Sequence, residues 1–275
     1  MGGCVPIRPL PLDEIVGIRF ESEDRVAVIT IDNEYRRNAT SFAMHRSLRS
    51  VWEEVRDNPA YRCAVVTGSG TKYFHTGADV GGVAEAGMVN DGDDGPRSEN
   101  VRSSPRDNRV HKPVICAVNG LVAGGGLHLV ADSDIVVASR TASFMDTHVN
   151  IGMVGRVENV ELTKRLPIGQ VLRMTLQGRN YRLSAERAYQ LGLVDELVDS
   201  DELMPTAMAL AHDIASNSPH AVTLSKQAIW SSVETGLSQA VDYGYSLVRL
   251  HRSHPDFLEG AKAFAERRPP VWLDQ

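Results

Sequence analysis

The sequence contains few cysteines and no long hydrophobic run. Only three cysteines occur among 275 residues, and the spacing of Cys4, Cys63 and Cys116 matches no metal-binding or redox motif. Such sparse thiols are typical of a reducing compartment, so a cytoplasmic location is expected. No apolar stretch approaches the roughly 18 residues that a membrane helix needs, and residues 1–6 do not resemble a signal peptide. We therefore expect no membrane association.

Positive charge is also scarce. Lysine and arginine number 29 against 35 acidic residues, which gives a formal net charge of −6, and aromatic residues make up only 6% of the chain. Proteins that bind nucleic acid need a basic surface, often with interleaved aromatic side chains, so no nucleic-acid partner is expected. An anionic ligand would have to be held by a few local positive groups.

Short β-branched segments alternate with helical patterns over the first half of the chain. Four strands are predicted, at residues 25–32, 62–67, 114–118 and 133–138. Helices are predicted at 41–56, between the N-cap Ser184 and the C-cap Gly192, and at 203–217, 220–234, 238–252 and 256–267. This alternation, with 42% hydrophobic residues, predicts one large α/β domain that ends in helices.

Residues 84–110 interrupt this pattern with polar, charged and turn-forming residues. A loop of this length inside a compact domain is usually functional or disordered. We interpret it as a partly ordered flap.

Two glycine-containing turns follow predicted strands. One is Ala123-Gly-Gly-Gly126, where a strand ends and a helix begins, and the other is Tyr73-Phe-His-Thr-Gly-Ala-Asp79. Glycine lets a ligand approach the backbone N–H groups, and a helix N-terminus adds partial positive charge. Either turn alone fits tight packing equally well. Together they predict two N–H donors that converge on one oxygen, which is the arrangement of an oxyanion hole.

These turns belong to a longer set of motifs that resembles the crotonase superfamily. The set comprises Phe74-x-x-Gly-Ala-Asp79, the segment 112–120, Ala123–Gly126, Asp132-x-Asp-Ile-Val-Val-Ala138, Phe144, Gly178-x-x-x-x-x-Ser-Ala185, Gly192-Leu-Val194 and the segment 256–270. The matches occur in order over about residues 14–270. The best-known members of this superfamily are enoyl-CoA hydratases and isomerases.

The resemblance implies a fold and a substrate class. After a loose lead at residues 1–13, residues 14–200 would form a spiral of ββα units, and residues 201–275 a helical trimerisation region. The protein would be a homotrimer or a dimer of trimers. Its substrate would be an acyl-CoA thioester, with coenzyme A as part of the substrate and no other cofactor. The N–H groups of Ala78 and Gly125 would stabilise the enolate oxygen.

The resemblance also implies contacts with the substrate and its coenzyme A moiety. The residues implicated are Arg36, Arg37, Ala39, Thr76, Asp79, Gly124, Phe264 and Arg267. Arginine suits the CoA phosphates. Alternatively, Arg36 and Arg37 lie in a solvated loop, and Arg267 with Arg268 complements the C-terminus of the last helix. Lys226 is a weaker candidate for the same role.

The chain departs from the hydratase pattern at its catalytic positions. In family hydratases one glutamate stands two residues after the glycine run, where this sequence has His128. A second glutamate lies downstream of the position of Phe144, and alignment through Phe144 and Gly152 places His148 there. Paired carboxylates activate water and deliver a proton to carbon, so the usual pair is absent as such.

Three interpretations of this departure stay open. His128 and His148 could perform acid–base catalysis themselves, because histidine titrates near neutral pH. A carboxylate could instead have moved, with Glu158 as the candidate. Finally, both histidines could be neutral pocket walls of a catalytically weak acyl-CoA-binding protein.

The resemblance as a whole predicts an enoyl-CoA hydratase/isomerase-like enzyme. Histidine at both catalytic positions favours hydrolysis or isomerisation of a bulkier, cyclic oxo-acyl-CoA over efficient hydration of a simple enoyl-CoA. The alternatives are a β-oxoacyl-CoA hydrolase that cleaves a C–C bond, and a non-catalytic acyl-CoA-binding paralogue.

A metal site was considered at His75, His128 and His148, because three histidines can hold zinc. Their spacing in the sequence is not that of a close ligand pair. The resemblance implies no metal, and none is expected.

Overall fold

The computed structural model describes residues 10–81 and 103–274. Ten strands lie in this part: β1 Ile18–Glu23, β2 Val26–Ile31, β3 Cys63–Gly68, β4 Tyr73–His75, β5 Val114–Val118, β6 Leu121–Ala123, β7 Ile135–Ser139, β8 Ser143–Met145, β9 Leu183–Ser184 and β10 Glu196–Val198. Its α-helices are α1 Phe42–Asp57, α2 Leu127–Asp132, α3 Val157–Leu162, α4 Ile168–Gln177, α5 Ala185–Gln190, α6 Leu203–Ala215, α7 Pro219–Ser231, α8 Leu237–His251 and α9 Asp256–Glu266.

The strands form two sheets. The larger sheet has the order β1-β2-β3-β5-β7-β10, in which β1 and β2 pair antiparallel and the other strands pair parallel. The smaller sheet has the order β4-β6-β8-β9. Every residue of β3 and β5 is buried, as expected for parallel strands covered on both faces.

Successive strands alternate between the two sheets. The chain passes from β3 to β4, from β5 to β6 and from β7 to β8, and the last two pairs are followed by helices α2 and α3. This arrangement is the spiral of ββα units that the resemblance implied. It brings the ends of β4, β6 and β8, which are neighbouring strands of the smaller sheet, to one edge.

Helix α1 shows how the apolar pattern builds the core. Ser41 caps the helix by accepting a hydrogen bond from the N–H of Met44. Leu48, Val51 and Trp52 lie on the buried face and contribute to the main hydrophobic cluster. Full burial of a large apolar side chain contributes about 1.5–3 kcal/mol, so this face fixes the helix against the sheets.

Helix α6 covers the other face of the larger sheet. Leu203, Ala207, Ala211 and Ala215 pack against buried residues of the larger sheet, including Ile115. The small alanine side chains let this helix approach the sheet closely. The helical end of the chain therefore begins within the core of the domain. Helices α7 and α8 pack against each other. No helix among the described residues is long and apolar enough to cross a membrane.

The predicted flap divides into two parts. Its residues 84–102 lie outside the described residues. The segment 103–110 packs against the core: Trp52 donates a hydrogen bond from Nε1 to the carbonyl oxygen of Ser103 at 2.9 Å, and Ser104 donates to Asp132 at 2.5 Å. The Arg106 guanidinium lies 4.5 Å from the centre of the Trp230 ring. This end of the segment is thus held by specific contacts.

Candidate active site

The two glycine turns lie side by side. A Cβ atom on Gly77 would be 3.1 Å from the nitrogen of Gly125, and one on Gly125 would be 3.6 Å from the Gly77 α-carbon. Gly77 has a φ of +86°, which a residue with a side chain rarely adopts. The pairing of β4 with β6 positions these turns, because both follow directly from these strands.

The backbone geometry orients the N–H group of Ala78. Thr40 and Ala78 form a parallel bridge, in which Thr40 donates to the carbonyl oxygen of Gly77 and accepts from the N–H of Asp79, both at 2.9 Å. The C=O of Gly77 and the N–H of Asp79 both point toward Thr40, and the N–H of the residue between them points to the opposite side of the strand. The Ala78 N–H therefore points away from Thr40. Gly125 lies in the first turn of a 3₁₀ helix, where N–H groups have no partner within the helix.

Gly126 is required for space, which gives a prediction about stability. A Cβ at this position would be 2.2 Å from the carbonyl oxygen of His75, a backbone atom that cannot move aside. We expect Gly126→Ala to lower the free energy of unfolding by about 1–3 kcal/mol through overpacking. Urea unfolding at fixed protein concentration measures this change.

Gly125→Ala is the matched control. Its new Cβ would make an ordinary contact, 3.6 Å from the Gly77 α-carbon, and we expect a change within about 0.5 kcal/mol. Equal destabilisation of both variants would show that the close packing of Gly126 on His75 is not what fixes this turn.

His128 lies on α2 directly after the glycine run and is held between two carboxylates. Its Nε2 is 3.0 Å from Oε2 of Glu158, and its Nδ1 is 3.7 Å from Oε2 of Glu161. Burial alone would lower the pKa of His128, but the hydrogen bond to Glu158 and the nearby carboxylate of Glu161 outweigh it and raise this pKa to about 10. His128 is thus an imidazolium at neutral pH.

Glu158 lies at the centre of the site. It occupies the first turn of α3, and its side chain is 5% exposed. While Oε2 contacts His128, Oε1 is 3.2 Å from Nε2 of His148. Burial would raise the pKa of Glu158, but the hydrogen bond and charge of His128, together with the charge of His148, hold it below its ordinary value. The group is a carboxylate between two imidazoles.

His148 is oriented from its other side by a fully buried carboxylate. Its Nδ1 is 2.6 Å from Oδ1 of Asp146, which also accepts the backbone N–H of His148 at 3.1 Å. Asn159 donates to Oδ2 of Asp146 at 2.7 Å and thereby ties this pair to α3. Burial opposes protonation, but Asp146 and the charge of Glu158 raise the pKa of His148 above its ordinary value. His148, at 19% side-chain exposure, is more accessible than Glu158.

The glycine run lies next to the segment that carries His148. A Cβ on Gly124 would be 3.6 Å from Cε1 of His148 and 3.5 Å from Oγ1 of Thr147. The 3₁₀ turn His148–Ile151 ends at Gly152, whose φ of +73° redirects the chain toward α3. The strand end at β8 thus brings His148 and Glu158 next to the turn that carries Gly125.

His75 does not join His128 and His148 in a metal site. Its Nδ1 is 2.9 Å from the carbonyl oxygen of Asn38. Burial, together with the charge of His45, lowers the pKa of His75 to about 3, so the ring is neutral. Among the described residues, no group with the geometry of a metal site contains His75, His128 and His148.

The residues implicated in CoA binding lie in two places. Arg36 and Arg37 are exposed, and the hydroxyl of Thr76 donates to the carbonyl oxygen of Arg37 at 2.9 Å, which connects this segment to the turn of Ala78. Ala39 and Asp79 flank the bridge between Thr40 and Ala78.

The C-terminal candidates lie elsewhere. Phe264 is 87% exposed and Arg267 is exposed as well, and neither forms a hydrogen bond or ion pair with the glycine turns within the described range. Arg268 pairs with Glu259 and Glu266. Lys226 is used structurally, because it lies 2.7 Å from Asp134.

The sequence pointed to Glu158, His128 and His148 as candidates but not to how these side chains are held. Asp146, Asn159 and Glu161 make the supporting contacts, and none of the three was predicted to do so. Their positions carried a usable signal: Asn159 and Glu161 lie one and three residues after Glu158, on the same short helix. A carboxylate often accepts a hydrogen bond from the Nδ1 of a histidine, and Asp146 lies two residues before His148.

Comparison with known proteins gives concordant matches. The sequence profile of the family "Enoyl-CoA hydratase/isomerase" matches residues 21–275. A carnitinyl-CoA dehydratase of Salmonella typhi is 37% identical over 238 residues, which cover 85% of this chain and 88% of that protein.

Solved structures agree. An enoyl-CoA hydratase/isomerase from Mycobacterium paratuberculosis superposes with a TM-score of 0.86 at 34% identity and covers 95% of this chain and 100% of its own. An enoyl-CoA hydratase from Mycobacterium tuberculosis H37Rv gives a TM-score of 0.84 at 29% identity, covering 94% and 99%.

Proposed function

Since the chain belongs to the enoyl-CoA hydratase/isomerase family, we propose that it catalyses the reversible addition of water to an enoyl-CoA thioester, with Glu158 and His148 as the proton-transfer pair. One observation carries this proposal: an ionised carboxylate lies between two imidazoles, beside the paired glycine turns. The 37% identity to a protein named carnitinyl-CoA dehydratase supports chemistry at the Cα–Cβ bond of an acyl-CoA. Glu158 supplies a carboxylate, whereas His128 and His148 occupy the two positions at which family hydratases carry glutamate.

The N–H groups of Ala78 and Gly125 bind the thioester oxygen in this proposal. When a nucleophile adds to Cβ, the electrons of the double bond move toward the thioester and place negative charge on that oxygen. Two fixed N–H donors stabilise the charge without reorganisation. His148 lies against Gly124, and in this proposal its ring delivers the proton to Cα.

The proton steps balance on Glu158 and His148. In hydration the Glu158 carboxylate takes a proton from water, the water oxygen bonds to Cβ, and the resulting enolate takes a proton at Cα from the His148 imidazolium. Glu158 is then neutral and His148 is neutral. The proton returns from Glu158 to His148 across the 3.2 Å contact between Oε1 and Nε2, which restores the starting state.

His128 has a positioning role in this scheme. With Glu158 on one side and Glu161 on the other, and only 10% side-chain exposure, its ring is locked. The imidazolium holds Glu158 in the ionised form and fixes the direction of its second oxygen toward His148. It does not need to reach the substrate.

The scheme predicts the pH dependence of kcat/KM. Water addition requires Glu158 ionised and His148 protonated. The pKa of Glu158 is lowered, so activity falls only when the pH decreases below the ordinary glutamate pKa of about 4.3. The pKa of His148 is raised, so activity falls when the pH increases above the ordinary histidine pKa of about 6.5. Dehydration has the same pH window, because neutral Glu158 with neutral His148 is a tautomer of the same protonation state. Initial rates of hydration and of dehydration, measured over a range of pH, give the acidic and alkaline limbs of the profile.

His148→Gln provides the specific comparison. Glutamine retains hydrogen bonding but cannot release a proton, so we expect kcat to fall about 10²-fold and the alkaline limb to disappear. An unchanged alkaline limb in this variant would assign that titration to another group.

A mass-spectrometric turnover screen tests the reaction class. The substrates are crotonyl-CoA, a longer enoyl-CoA, carnitinyl-CoA and a cyclic β-oxoacyl-CoA. Gain of one water by an enoyl-CoA, or its loss from carnitinyl-CoA, is the expected result. Water incorporation with ring opening of the cyclic substrate alone would support the C–C hydrolase instead. Acyl-CoA binding without turnover would support the non-catalytic paralogue.

We further propose that Arg36 and Arg37 bind the CoA phosphates, because their exposed segment is tied through Thr76 to the oxyanion turn. Exposed apolar residues on the C-terminal helices support the expected trimer; they are Ile229, Leu237, Tyr245 and Phe264. In such an assembly Phe264 and Arg267 would approach a neighbouring site. Light scattering coupled to size-exclusion chromatography distinguishes a monomer from three or six chains.

A further inference from the structure

Three histidines from separate parts of the helical end converge at a second site. His220 lies in the first turn of α7, His251 is the last residue of α8, and His254 lies in the turn before α9. A ring nitrogen of each lies within 4.8 Å of those of the other two. The Nδ1 atoms of His220 and His251 are 2.8 Å apart. Residues distant in sequence thus bring three imidazole nitrogens close together.

The surroundings hold this cluster in place and leave it accessible. The three side chains are half-buried. The backbone N–H of Asp256 donates to Nδ1 of His254 at 3.2 Å, and Asp256 in turn accepts from Ser218 at 2.6 Å. Ser218 is the N-cap of α7, so the same contacts fix the start of that helix. The cluster therefore joins three helices through a small number of polar contacts.

Imidazole is a common ligand of transition-metal ions in proteins. Neutral imidazole is the ligand that zinc and related ions require, and it offers its lone pair only when unprotonated. The rings also stack, with 4.1 Å between the centroids of His220 and His254. A metal ion binds in the plane of each imidazole ring, so the half-buried rings turn about their side-chain bonds when they share one ion.

We propose that His220, His251 and His254 bind one divalent transition-metal ion, with zinc as the ion that three imidazoles suit best. The site clamps the start of α7 to the end of α8 and to the turn before α9. It is separate from Glu158 and His148 and does not depend on the proposed reaction.

The test uses the full chain after removal of metal by a chelator and dialysis. Zinc chloride is added, and the bound metal is measured by equilibrium dialysis with elemental analysis. We expect one zinc per chain. The double variant His220→Ala/His251→Ala should weaken binding about a hundredfold or more, since loss even of outer-shell partners costs 10–100-fold. Zinc should also raise the Tm of the wild type but not that of this variant.

Two further variants make the test specific. His212→Ala removes a partly exposed histidine outside the cluster, and His148→Ala removes a histidine of the candidate active site; both should retain one zinc. Zinc binding that survives in the double variant and disappears in His148→Ala would overturn the proposal and place the ion at the active site. Wild type without stoichiometric zinc would also overturn it. Circular dichroism of each metal-free variant confirms that lost binding is not lost folding.

Discussion

Replacement of Glu158 by glutamine is expected to lower kcat for water addition by about 10³–10⁴-fold, at the upper end of what a general acid or base contributes. Glutamine has nearly the same size and can still contact His128 and His148, but it cannot accept a proton from water. KM should change little, because Glu158 acts in the transition state and makes no proposed contact with coenzyme A. The rate of loss of the enoyl-CoA absorbance measures both constants.

Glu161→Gln is the matched control for this experiment. Glu161 lies on the same helix and contacts the same histidine, but at the opposite nitrogen and at 3.7 Å. Its replacement removes one negative charge near His128 and leaves the contact between Glu158 and His148 intact. We expect kcat to change less than about tenfold, because no proton-transfer step is lost. Comparable losses in both variants would mean that the charge around His128, and not proton acceptance by Glu158, limits the rate.

The main strands could be predicted from the sequence because strands that are buried on both faces consist of nearly uninterrupted apolar residues. Residues 114–118 were predicted with their observed bounds, and helix α1 was predicted within one residue at each end. Strands β4, β6 and β8 contain three residues each, too few to show a period, so they were not predicted as strands. Strand β1 was missed because most of its residues are partly or fully exposed.

The candidate site was predictable in its parts but not in its electrostatics. The glycine turns, His128, His148 and Glu158 all carried a signal in the sequence. Their protonation states did not, because these depend on which groups contact each other after folding. The two histidines were treated as equivalent in the sequence, yet His128 is enclosed between Glu158 and Glu161, whereas His148 faces the glycine run.

This asymmetry explains how a hydratase could function without its usual pair of glutamates. Two carboxylates share the work of base and acid only if one is ionised and the other is protonated. When a carboxylate contacts an imidazolium, the positive charge stabilises the ionised carboxylate and the negative charge stabilises the protonated imidazole. His128 lies between Glu158 and Glu161 and offsets part of their negative charge. In the proposed mechanism the site therefore retains one negative base and one acidic proton although the residue types have changed.

Removal of the N–H group of residue 125 is expected to lower kcat/KM by about 10²–10³-fold, the loss typical of one oxyanion-hole donor. Gly125→Pro makes this change. The residue lies in the 3₁₀ turn Gly124–Gly126, and proline has no backbone N–H to donate. The proline ring replaces the donor with a carbon atom at the point where the enolate charge develops. Steady-state kinetics with the best substrate of the turnover screen measure the loss.

Gly125→Ala separates the loss of the donor from the presence of added atoms. Alanine keeps the N–H group, and its Cβ would make an ordinary contact 3.6 Å from the Gly77 α-carbon. We expect it to retain most of the activity, so the ratio between the two variants reports the donor itself. If the proline variant folds with a similar Tm and its kcat/KM stays within about tenfold of the alanine variant, the N–H of Gly125 supplies far less than one oxyanion donor. In that case Ala78 would be the principal donor, and the pairing of the two turns would serve packing more than catalysis.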